Sequence, residues 1–109
     1  MNFIRFNYLY RDYGNYKNYG SVIFSNPNNI LIEEIDRIIR RHLMDETWFI
    51  PAKWNIPNLH FEKTVWEDDH PYHEYEGVEI TQLINEAIVL PIDSLFKLFK
   101  IMDRQISVD

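Results

Sequence analysis

Asn2-Phe3-Ile4-Arg5-Phe6-Asn7-Tyr8-Leu9-Tyr10-Arg11, residues 2–11, is the stretch of sequence that decides the fold. Side chains alternate along it with the period of a β-strand that is buried on one face. The alternation predicts a strand over about 2–11 whose inward side carries the even positions Ile4, Phe6, Tyr8 and Tyr10.

The residues that follow predict a hairpin and then a helix. Residues 12–20 are rich in glycine and asparagine, which supply turn conformations, and Ser21 to Ser25 reads as the returning strand. After a break at residues 26–29, side chains recur at helical spacing, with one face carrying Leu31, Ile35, Ile38, Ile39 and His42. Acids near the start of this helix and arginines near its end suit the helix dipole.

The rest of the chain predicts short strands and C-terminal helices. Residues 47–50 and 58–62 have strand character, joined by a loop that contains Trp54, and residues 72–80 predict a further strand with a kink at Gly77. Two helices then follow, the first capped by Thr81 and the second by Asp93. A buried strand at 87–90 in place of the first helix stays an alternative, because a short apolar run is ambiguous.

These elements together predict a single α+β domain over residues 1–109. It consists of an N-terminal β-hairpin, an amphipathic helix, further short antiparallel strands and two C-terminal helices. The apolar content of 46% and the aromatic content of 16% support one compact core.

Composition excludes several classes of protein. The chain has no cysteine, which removes disulfides, thiolate zinc sites and cysteine nucleophiles. A net charge of −6 argues against a general nucleic-acid binder. No apolar run approaches the roughly 20 residues of a membrane helix, and the N-terminus lacks the pattern of a signal peptide. We therefore expect a cytoplasmic protein that does not enter membranes.

The acidic residues are concentrated in one segment that also carries histidines. Residues 64–96 contain no Lys or Arg, and the acids cluster around His70 and His73. Together with Glu74 and a more distant His60, these residue types could bind a divalent metal such as zinc. The alternative is a solvated turn whose histidines bond to nearby carboxylates, and such neighbours are expected to raise the imidazole pKa.

A second candidate site is the hairpin loop, where tyrosine recurs between Tyr8 and Tyr19. Exposed tyrosines offer contact area at low entropy cost, so Tyr13, Tyr16 and Lys17 are candidate partner contacts. A sugar or nucleotide could instead stack on Tyr13, Tyr16 or Trp66. The plainer interpretation is that these rings only cover the end of the hairpin.

Several phrases of the sequence carry a resemblance. Residues 8–12, 15–17, 24–27, 56–57 and 69–74, read in that order, resemble a group of small bacterial proteins that has no assigned activity. The resemblance implies a bacterial source and a self-contained cytoplasmic domain. It transfers no catalytic residue.

The sequence therefore favours a protein-binding or regulatory module that uses the aromatic hairpin loop and the acidic segment. Its candidate binding residues are Tyr13, Tyr16, Lys17, Trp66 and Asp69, and no cofactor is required. The alternative is a divalent-metal-binding protein or metal-dependent hydrolase that uses His70 and His73. The serines lack a nucleophile motif and no glycine loop suits a phosphate, so an enzyme is not the leading interpretation. A homo-oligomer stays open.

Overall fold

The computed structural model describes residues 2–60, 70–82 and 89–106 and has an α+β fold. Its strands are β1 (Asn2–Arg11), β2 (Lys17–Asn26), β3 (Trp48–Phe49), β4 (His73–Thr81) and β5 (Val89–Pro91). Its α-helices are α1 (Ile32–Arg41) and α2 (Ile92–Ile106), and a 3₁₀ helix spans Pro51–Trp54. Neither α-helix is long and apolar enough, over the described residues, to cross a membrane.

The strands form one sheet in the order β3-β4-β1-β2-β5. The predicted hairpin is confirmed, since β1 pairs antiparallel with β2 from Asn2 opposite Asn26 to Arg11 opposite Lys17. The returning strand is therefore longer than the predicted 21–25. On its other side β1 pairs antiparallel with β4, and β5 runs parallel to β2. The strand predicted from residues 2–11 is thus the centre of the sheet.

Strand β4 carries the predicted kink. Asn7 pairs with Gly77 and Tyr8 pairs with Tyr75, so Glu76 is an extra residue at a bulge. Gly77 has φ of 133°, a backbone conformation that side-chain-bearing residues rarely adopt. The glycine therefore lets β4 bend while it stays paired with β1.

Helix α1 is confirmed with one correction to its buried face. Ile35 and Ile39 are fully buried, as the spacing predicts, but Leu31 precedes the helix and is 71% exposed. A buried asparagine sets this entry point: the Asn26 amide donates to Asn2 Oδ1 and to the Ile30 carbonyl, and its Oδ1 accepts from the Ile30 N–H. These bonds fix the turn that leads into the helix, and the N-cap residue Leu31 itself forms no side-chain cap.

The predicted strand at 58–62 is wrong over its described residues, 58–60, which form no regular element. Their backbone bonds to side chains instead of to a neighbouring strand. The Leu59 N–H donates to His73 Nε2 at 2.8 Å, and the Leu59 carbonyl accepts from the Asn18 amide at 2.9 Å. The Leu59 side chain covers Gly20, where an added Cβ would come within 2.6 Å of it.

Over its described residues, the C-terminal part contains a strand followed by a helix, as the alternative prediction of a strand at 87–90 has it. Val89–Pro91 is a strand and α2 follows directly, close to the predicted start at Asp93. The predicted helix after Thr81 falls mainly on residues 83–88, which lie outside the described residues.

The core lies between the sheet and the two helices. Phe6 is at its centre, with ring centroids 5.2 to 6.2 Å from those of five aromatic residues: Tyr8, Phe24, Phe49, Trp54 and Tyr75. Trp54 in turn lies 4.9 Å from Phe99 of α2. The even face of β1 is therefore joined to α2 through the 3₁₀ helix.

Candidate functional site

An open cleft of about 450 Å³ lies beside β3 and the β1–β2 turn. We call it the aromatic cleft; the described residues that line it are Tyr13, Met44, Asp45, Trp48, His70 and Tyr72. Tyr13 is 71% exposed, Tyr72 41% and Trp48 40%. Large aromatic side chains normally bury more of their surface, so their grouping at one opening marks a candidate binding site.

Tyr13 is held by a tightly bonded hairpin turn. Asp12 organises this turn: its carboxylate accepts from the Tyr16 N–H at 2.9 Å, and its carbonyl accepts from the Asn15 N–H at 3.0 Å. Asn15 takes the left-handed conformation with φ of 67°. The Tyr13 ring meets His70 edge-on, with centroids 5.3 Å apart. The turn therefore presents Tyr13 at a defined position on the rim of the cleft.

Met44, Asp45 and Trp48 belong to a tight loop. Met44 and Trp48 exchange backbone hydrogen bonds of 2.8 and 2.9 Å. Between them Asp45 and Glu46 have φ of 49° and 59°. Two successive positive φ angles are usual for asparagine and glycine in a type I′ turn, but a residue with a long side chain pays about 1 to 2 kcal/mol for this conformation. The lining of the cleft thus contains a strained turn.

Replacing Glu46 by glycine should raise the free energy of unfolding by about 1 kcal/mol, because glycine adopts this conformation without the steric cost. Chemical denaturation followed by circular dichroism measures the change. Glu46→Ala is the matched control, since it removes the carboxylate and keeps the β-carbon. A glycine variant no more stable than the alanine variant would show that the turn is not strained.

His70 is fixed by hydrogen bonds to the backbone. Its Nε2–H donates to the Arg11 carbonyl at 2.7 Å, and its Nδ1 accepts from the Tyr72 N–H at 3.2 Å. One nitrogen donates and the other accepts, so these bonds suit the uncharged ring. His70 also stacks on Tyr72, with centroids 6.1 Å apart and the planes at 26°. It therefore sets the positions of the two tyrosines beside it.

His73 and His60 lie behind the cleft, around the buried ring of Tyr10. The centroid of Tyr10 is 4.5 Å from that of His60, 5.1 Å from His70 and 5.1 Å from His73. His60 Nε2–H donates to the His70 carbonyl at 3.0 Å, and His73 Nδ1–H donates to the Pro71 carbonyl at 3.2 Å. The bonds of the three histidines connect residues 59–60 with residues 70–73 and, through Arg11, with β1.

The prediction that neighbouring carboxylates raise the imidazole pKa is wrong for His73. This side chain has no exposed surface, and burial lowers its pKa to about 4. Its Nε2 accepts from the Leu59 N–H, a role that only the neutral ring can fill. The sequence places acids near His73 along the chain, but strand β4 turns the ring into the core.

The residues proposed as metal ligands are engaged in other contacts. Glu74 binds Arg11, with Oε2 2.7 Å from Nε and Oε1 3.2 Å from Nη2. Both ring nitrogens of His70 and both ring nitrogens of His73 form hydrogen bonds to backbone groups. Across residues 2–60, 70–82 and 89–106, no group of three or more His, Asp or Glu side chains could hold a metal ion. These bonds tie His70, His73 and Glu74 to neighbouring parts of the chain, with His70 in the lining of the aromatic cleft and His73 buried.

The remaining predicted binding residues do not line the aromatic cleft or lie outside the described residues. Tyr16 and Lys17 are exposed on the hairpin turn but do not line the cleft, while Trp66 and Asp69 lie outside the described residues. Sequence reasoning missed Met44, Asp45, Trp48 and Tyr72 as site residues. Trp48 and Tyr72 lie within the predicted strands 47–50 and 72–80, and the sequence does not indicate that their side chains face a common opening.

Comparison of the chain with protein-family models, with curated proteins and with solved structures found no match.

Proposed function

We propose that the protein is a small binding module that recognises a protein partner through the aromatic cleft. The observation that carries the proposal is the convergence of Tyr13, Trp48 and Tyr72 from three separate segments of the chain on one open cleft. Tyrosine and tryptophan supply a large share of the binding energy in protein interfaces when a partner desolvates them.

The scaffold behind these rings supports the same proposal. Tyr13 is carried by the bonded hairpin turn, Trp48 by the tight loop and Tyr72 by its contacts with His70. A site whose side chains are already positioned loses less conformational entropy when it binds. In this proposal the histidines keep the cleft in shape. We also propose a bacterial source and a cytoplasmic location.

The test is affinity capture from the cells that produce the protein, with matched variants as bait. Tyr13→Ala and Trp48→Ala should each lose a protein that the wild type retains, because each removes a ring from the cleft. Tyr19→Ala is the control: Tyr19 is also exposed, but it lies on β2 and does not line the cleft. Circular dichroism confirms that each variant is folded. A partner held equally by all baits would refute the proposal.

A further inference from the structure

We infer that the aromatic cleft receives an arginine side chain of the partner protein. This inference rests on the proposed function and names the chemistry that the cleft recognises. It is carried by the charge of the lining, by the exposed aromatic faces and by the open shape of the site.

The charge of the lining favours a cation. Asp45 is the carboxylate among the described lining residues, and no Lys or Arg accompanies it. The hydrogen bond formed by Asp45 uses its main-chain carbonyl, which accepts from Thr47 Oγ1 at 3.1 Å. No described residue forms an ion pair or hydrogen bond with the Asp45 carboxylate. Since the bonds of His70 suit its uncharged form, the lining carries a negative charge that a cation would balance.

The aromatic residues favour the same class of occupant. The face of a tryptophan or tyrosine ring attracts a cation through its quadrupole, and tryptophan does so most strongly. Trp48, Tyr72 and Tyr13 keep 40%, 41% and 71% of their surface exposed, so their rings remain accessible to a side chain from outside. A neutral apolar side chain could contact these rings, but it would gain nothing from the charge of Asp45.

The shape of the cleft favours arginine over lysine. A compact ammonium group is bound best by an enclosed cage of rings, whereas this cleft is open and its rings lie on different segments. The guanidinium group is planar, is weakly hydrated, stacks on aromatic faces and can form two hydrogen bonds to one carboxylate. Trp48 and Tyr72 offer aromatic faces for such stacking, and Asp45 offers a carboxylate that can accept its N–H groups.

A second cleft in the molecule provides an internal control. It has a volume of about 490 Å³, lies between α1 and α2, and has Arg41, Lys97 and Lys100 in its lining together with Asp93 and Asp103. Among the described residues that line it, basic groups outnumber acidic ones, so it should not attract a cationic probe. Perturbations caused by arginine should therefore be confined to one side of the protein.

The experiment is an NMR titration of the full ¹⁵N-labelled chain with N-acetylarginine amide. The matched probe is N-acetylcitrulline amide, which has nearly the same shape and no charge. We expect saturable shifts at the Trp48 indole N–H and at the amides of residues 13, 45 and 72, with arginine binding about fivefold more tightly than citrulline. Asp45→Asn should remove most of this preference while leaving the protein folded.

Three results would overturn the inference: equal shifts with arginine and citrulline, shifts centred on Lys97 and Lys100, or binding of N-acetyllysine amide as tight as that of arginine. The result of this titration can be distinguished from the result of the affinity capture that tests the proposed function. If arginine does not bind but the cleft variants still lose the partner, the cleft binds a protein through another group. If arginine binds but those variants keep the partner, the proposed function fails.

Discussion

Phe6→Ala should lower the free energy of unfolding by about 3 to 5 kcal/mol, the usual cost of removing a fully buried phenylalanine ring from a core. Phe6 has no exposed surface, and its ring contacts aromatic residues of β1, β2, β3, β4 and the 3₁₀ helix. Its loss would leave a cavity where the layers meet. A protein of this size has a total stability of only about 5 to 15 kcal/mol, so the variant should be close to unfolding.

The change is measured by urea denaturation. Phe3→Ala is the matched control, because Phe3 lies on the same strand, points to the opposite face of the sheet and is only partly buried. We expect its effect to be clearly smaller than that of Phe6→Ala. Equal losses for the two variants would contradict the position of the core on the even face of β1.

Acidification should destabilise the protein by about 3 kcal/mol through His73 alone. The folded protein holds the pKa of His73 at about 4, against the ordinary value of 6.5. Between these two pH values the unfolded chain binds a proton that the folded protein does not. The contribution is therefore fully present above pH 6.5, and it is lost as the pH falls through that range towards 4.

His73→Gln isolates this effect. Glutamine carries an amide oxygen that can take the place of Nε2 as the acceptor from the Leu59 N–H, and it does not titrate. The free energy of unfolding should be measured between pH 7.5 and 4 for the wild type and the variant, because carboxylates also titrate in this range. The wild type should show the steeper decline. Parallel profiles would show that His73 is not held in its neutral form.

Much of the fold could be predicted because the spacing of apolar residues in the sequence matches the residues that are buried in the structure. The alternation in residues 2–11 placed β1 and its inward face, and the spacing of Ile35 and Ile39 placed α1. Gly77 marked the bulge because few other residues adopt its conformation. These features depend on local chemistry, which a single sequence displays.

The failures share a different cause. Residues 58–60 resemble a strand, yet their backbone is satisfied by the side chains of Asn18 and His73, which are distant in sequence. His73 lies in an acidic run, yet its pairing with Phe49 of β3 places it in a buried position of β4. Such outcomes depend on long-range pairing and cannot be deduced from spacing.

The candidate site was predicted only in part for the same reason. Tyr13 and His70 were singled out, and both line the aromatic cleft. Asp45 was missed, because the turn that carries it has neither glycine nor asparagine at its positive φ positions. A turn without its usual residues gives no sequence signal.

The most direct test of the aromatic cleft as the partner site is site-specific photo-crosslinking in the cells that produce the protein. Benzoylphenylalanine would replace Tyr13 in the cleft or, as the control, Tyr19 on β2, which is also aromatic and exposed. We expect a discrete crosslinked protein from position 13 that is absent from position 19 and is lost when Trp48→Ala is added. A product from position 19 alone, or no product from position 13, would contradict this expectation.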